Sequence, residues 1–119
     1  VAATTAVAAP ASARTIEACS NIGNGDVCIK LENINDNTNR ADITTWYTKK
    51  AGDPVVVRLA HFPGDGIDEG AFTISAGQIR GYKWFNVYLG VNNCWTGALR
   101  QGGDPNWSIV TNGGTACRW

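Results

Sequence analysis

The chain has no methionine, a single histidine and no excess charge. Ten Lys and Arg stand against ten Asp and Glu, and charged residues are only 17% of its 119. A zero balance removes the basic footprint that would hold nucleic acid or an anionic membrane surface. No basic run interleaves with aromatics, and no stretch is long and apolar enough to span a bilayer. No segment longer than about ten residues shows a helical period. The lone His61 stands at the end of a hydrophobic strand pattern, where packing is its expected role. Ser20, Ser75 and Ser108 offer no nucleophile turn, so a Ser-His-Asp set is not expected.

What the chain does have is 14 Gly, five Trp and four Cys. An even Cys count in a short chain reads as a disulfide framework and an oxidising compartment. The Cys spacings, with one His between the pairs, are too wide for a structural metal site. No metal and no cofactor is therefore expected. Of three possible pairings, Cys19–Cys28 and Cys94–Cys117 are favoured, because each pair brackets Gly- and Asn-rich turns. These are Ile22-Gly23-Asn24-Gly25 in the first pair, and Gly102–Pro105 and Asn112-Gly113-Gly114 in the second. With all four Cys bridged, no thiol nucleophile is expected.

From Arg14 onward the pattern is β. Val27, Ile29 and Leu31 alternate with polar or bridged neighbours, the period of a half-buried strand. Further strands are expected over Thr15–Cys19, Asp42–Thr48, Val55–Phe62, Gly70–Ser75, Ile79–Val91, Trp95–Arg100 and Trp107–Thr111. Polar or Gly- and Pro-rich segments separate them. The expected fold is all-β, a small antiparallel β-sandwich or barrel with two disulfides, covering residues 15–119.

Residues 1–14 form an extended Ala-rich N-terminal tail ahead of that domain. Val1, Ala2, Ala3, Thr4, Thr5, Ala6, Val7, Ala8, Ala9 and Pro10 carry no charge and no large ring. Such a segment threads a narrow groove or adds a strand to a partner's edge. Ala11-Ser12-Ala13 also has the small-x-small pattern of an export-signal cleavage site, so the tail is either a partner-binding segment or a signal remnant.

Other residues invite a chemical reading. Asp65, Asp68 and Glu69 share a Gly-rich loop, as a calcium site or an acid-base pair would require, but without EF-hand spacing. A solvated loop is the expected outcome. Tyr82, Trp84 and Tyr88 recur at even spacing and so line one face of one strand. If that face points outward it is an interface; if inward, it is core. About three of the five Trp are expected in the core. Asn106-Trp107-Ser108 matches a glycosylation sequon.

The start Ala6-Val-Ala-Ala-Pro-Ala-Ser-Ala13, the two separated Cys pairs and the stretch Gly70-Ala-Phe-Thr-Ile-Ser-Ala-Gly-Gln-Ile-Arg-Gly-Tyr-Lys-Trp84 resemble small secreted proteins of filamentous soil bacteria. Among these the chain resembles the adaptor subunit of the umbrella toxin particles. That resemblance implies a secreted, non-catalytic adaptor joining a large toxin protein to lectin-like subunits, with the tail inserted in the toxin protein. Two other readings of the residues remain open. One is a protease inhibitor presenting Asn33–Arg40, with Arg40 read by the protease, or Pro63–Gly70. The other is a carbohydrate-binding module using its Trp residues.

Overall fold

A computed structural model describes residues 14–64, 67–102 and 107–119. The eight strands are β1 (Arg14–Asn21), β2 (Gly25–Asn35), β3 (Arg40–Lys49), β4 (Val55–Phe62), β5 (Phe72–Ile74), β6 (Ile79–Tyr88), β7 (Cys94–Gln101) and β8 (Ile109–Cys117). They form two four-stranded antiparallel sheets, ordered β1-β2-β3-β6 and β5-β4-β7-β8. The chain crosses between sheets from β3 to β4, from β5 to β6 and from β6 to β7, while β3 pairs with β6 and β4 with β7. The two sheets are therefore interlocked.

Alternation builds the core between them. Val27, Ile29, Leu31, Ile43 and Tyr47 of the first sheet meet Val57, Leu59, Leu99 and Trp95 of the second. The period-two pattern in β2, β3 and β4 is what puts these side chains on one face. His61 is buried in this layer. Its ring lies 4.6 Å from Trp84, edge to face, and 5.6 Å from Trp95. Its Nδ1 is 3.0 Å from the Pro63 carbonyl oxygen.

Both expected disulfides are present, Cys19–Cys28 and Cys94–Cys117. Each joins directly opposed residues of a hairpin, Cys19 with Cys28 in β1–β2 and Cys94 with Cys117 in β7–β8. Ile22–Gly25 is the expected turn of the first hairpin, closed by the Ile22 N–H donating to the Gly25 carbonyl at 2.9 Å.

The second bracketed turn is different. Asn112, Gly113 and Gly114 lie inside β8, where a strand was expected to have ended at Thr111. Here β8 presses on β1 and β2. A Cβ on Gly114 would sit 2.2 Å from the Ala18 carbonyl oxygen, and one on Gly113 would sit 2.4 Å from Val27. The glycines serve sheet-to-sheet approach, not chain reversal. The expected strand over Ile79–Val91 ends instead at Tyr88, and residues 89–93 form the turn to β7.

Candidate binding surface

The polar outer face of the first sheet is organised by Asp42. Its Oδ1 accepts the Asn86 backbone N–H at 2.9 Å, and its Oδ2 accepts the Asn33 side-chain amide at 2.9 Å. Asn33 and Asn86 both have positive φ, 54° and 56°, and each lies at an irregularity in strand pairing on either side of β3. Asn tolerates this left-handed region better than other non-glycine residues. The Asn86 N–H, followed by the Asn33 amide, holds the Asp42 carboxyl below its usual range despite partial desolvation. Beside it, Lys83 pairs with Glu32, lowering the Glu32 pKa and raising that of Lys83.

The Asn86 bulge decides which aromatics of β6 face out. Before it, Tyr82 and Trp84 face the core. Trp84 is 8% exposed, 4.9 Å from Tyr82, and its indole N–H donates to the Ile67 carbonyl at 3.0 Å. The extra residue then reverses the alternation, and Tyr88 emerges 61% exposed under the Arg40 guanidinium. The single face expected for Tyr82, Trp84 and Tyr88 does not exist, because a one-residue shift moves every later side chain to the other face. The outward apolar residues of β6 are instead Ile79 (67% exposed), Phe85 (73%) and Tyr88. β6 is also an edge strand of its sheet.

Other expected site residues sort clearly. Asp68 accepts from Arg58 at 2.9 Å and from the Gly70 N–H at 2.8 Å, while Glu69 pairs with Arg80 at 3.0 Å. The two acids therefore face different arginines and do not converge on a shared ion or a shared sugar atom. Among the described residues no group of His, Cys, Asp and Glu is placed to hold a metal. Asp65, Asn106 and the tail Val1–Pro10 lie outside the described residues. Arg40 belongs to β3, donates to the Asn86 carbonyl at 2.9 Å and packs on Tyr88, so it is not presented on a free loop. Of the Trp residues, Trp84 and Trp95 are core, Trp46 and Trp107 are half-buried, and Trp119 is exposed. That makes two buried Trp where about three were expected.

One end of the sandwich was not anticipated from sequence. There the β2–β3 turn, the β6–β7 turn and the segment after β8 surround an open cavity of about 890 Å³. Asn39 of the first turn, also at positive φ (60°), donates its side-chain amide to the Gly90 carbonyl of the second. Beyond the Cys94–Cys117 bridge, Asn93 continues the pairing as a clamp. Its carbonyl accepts the Arg118 N–H, its Oδ1 accepts the Trp119 N–H at 3.0 Å, and its amide donates to the Trp119 carbonyl at 2.8 Å. The three segments are far apart in sequence, and of them only Asn33–Arg40 stands out there, as a candidate inhibitor loop.

Compared with known proteins, the chain matches no family model, no curated protein and no solved structure.

Proposed function

We propose that this domain is a secreted, non-catalytic interaction module that joins larger proteins, as the adaptor of a secreted antibacterial toxin complex does. The observation that carries it is the outward row Ile79, Phe85 and Tyr88 on an edge strand, exposed to solvent on a disulfide-braced sandwich. Exposed aromatics on a rigid platform supply contact area at little cost in conformational entropy. Lys83 between them adds a cation 5.5 Å from the Phe85 ring centroid.

The described residues that sequence offered for chemistry have structural partners, which favours binding over catalysis. His61 is packed between two indoles, Asp68 and Glu69 are held by arginines, and all four Cys are bridged. The two disulfides fit an oxidising, extracellular-type environment, and among the described residues no helix is long and apolar enough to cross a membrane. In this proposal Val1–Pro10 engages the larger partner, and the β6 face engages a second protein.

Affinity purification of the tagged protein from its own culture supernatant, followed by mass spectrometry, tests the proposal. Large secreted partners in fixed ratio, one of them lost when residues 1–13 are deleted, would support it. Emergence as a lone monomer would refute it.

A further inference from the structure

We propose that the cavity at the Trp119 end of the sandwich is a binding site for a neutral pyranose sugar. The site adjoins the Tyr88 end of the β6 face, where Gly90 neighbours the Tyr88 ring, but it does not depend on a protein partner binding there.

Trp119 is 73% exposed, and its backbone is tied down. Asn93 clamps its backbone on both sides, and the Arg118 guanidinium lies 4.3 Å from its ring centroid. Arg118 itself is buried. It donates to Asn39 Oδ1 at 2.7 Å, to the Gly90 carbonyl at 3.1 Å and twice to the Asn92 carbonyl, at 3.1 and 2.7 Å. Burying a guanidinium is costly unless its donors are satisfied. Here they are satisfied by neutral oxygens of both turns, and the cation backs the indole. Almost all its donors are occupied, so it is poorly placed to bind an anion.

The rest of the cavity is neutral and mixed in character. Arg14 donates to both oxygens of Asp36, at 3.0 and 3.1 Å, which cancels the charge at that wall. The exposed Asn37 offers a side-chain amide, both donor and acceptor. Val91, 97% exposed, adds an apolar contact on the β6–β7 turn.

A pyranose has these requirements. One face of C–H groups packs on a flat ring, and the rim hydroxyls each donate and accept. An exposed indole backed by a guanidinium, with an amide and a carboxylate beside it, matches both. The hollow is open to solvent, and its volume falls within the range of small-ligand sites, about 300–1,000 Å³.

The test is a titration of the intact protein with neutral oligosaccharides of glucose, N-acetylglucosamine, mannose and galactose, read by saturation-transfer NMR and calorimetry. At least one should bind at millimolar concentration or tighter. Trp119→Ala should weaken it about tenfold or more. Asn37→Ala should weaken it less, and Phe85→Ala, on the β6 face, should leave it unchanged. The thermal midpoint of each variant checks folding. If no neutral sugar binds, or if Trp119→Ala leaves binding intact, the assignment is overturned. It is equally overturned if Trp119→Ala breaks a protein complex while no sugar binds, which would make the cavity a protein contact.

Discussion

The Asp42 carboxylate reaches across from β3 to accept the Asn86 N–H at 2.9 Å, and that bond fixes the bulge after which β6 turns its side chains over. The exposure of Tyr88, on the face opposite the buried Trp84, follows from it. Asp42→Ala leaves the Asn86 N–H and the Asn33 amide without their acceptor. Both bonds are solvent-exposed, so water replaces the acceptor and chemical denaturation should show a loss of about 0.5–1.5 kcal/mol. The Tyr88 ring, tracked by NMR, should lose its fixed position over Arg40.

Acid should act on the same network. Asp42 and Glu32 both have carboxyls lowered by folding, by the Asn86 N–H and by Lys83 respectively. A carboxyl lowered in the folded state stabilises it above the unfolded value, and that stabilisation is lost as pH falls through the folded value. Stability should therefore be flat near neutrality and decline from about pH 4 downward. Asp42→Asn should flatten the decline, which a series of thermal midpoints against pH would show.

Trp84 and Phe85 are neighbours with opposite roles. Trp84→Ala empties a core position and should cost about 3–5 kcal/mol by denaturation. It therefore reports on stability, not on ligand binding. Phe85→Ala removes an exposed ring and should change stability by no more than about 0.5 kcal/mol.

Much of this fold is legible in the sequence. Strands β2, β3 and β4 announce themselves because one face of each is buried, so the alternation of Val27, Ile29 and Leu31 or of Val57 and Leu59 must be regular. The disulfide pairing is legible because each bridge closes a hairpin. The Asn86 bulge is not, since a positive-φ Asn in a strand has no distinctive neighbours. Gly113-Gly114 misleads for the opposite reason. Paired glycines signal a turn, yet here they answer to the backbone of Ala18, nearly a hundred residues away in sequence. The cavity under Trp119 is hidden because Asn39, Asn93 and Arg118 meet only after both sheets have formed.

Glycine substitutions separate close approach from conformational strain. At Gly114 an added methyl would meet Ala18 backbone that belongs to a paired strand and has nowhere to go. Gly114→Ala should cost about 3 kcal/mol or more, or prevent folding. At Gly23, with φ of 106° and nothing within 4 Å, Gly23→Ala meets only backbone strain and should cost about 1–2 kcal/mol. Denaturation midpoints of the two variants check the order.

The disulfides should differ in weight. Cys94 and Cys117 are 23 residues apart, Cys19 and Cys28 only 9. In the chain-entropy model the longer loop stabilises by about 0.8 kcal/mol more. Paired Cys→Ala variants, compared by denaturation, should lose about 2–4 kcal/mol each, with the Cys94–Cys117 pair losing more.

The most direct test of the central claim is to repeat the purification from culture supernatant with Ile79→Asp/Phe85→Asp, after confirming that its thermal midpoint matches the parent. If the β6 face is the contact, one large secreted partner disappears, while the partner held through residues 1–13 stays. Retention of every partner by the folded variant would contradict a role for β6 in joining proteins.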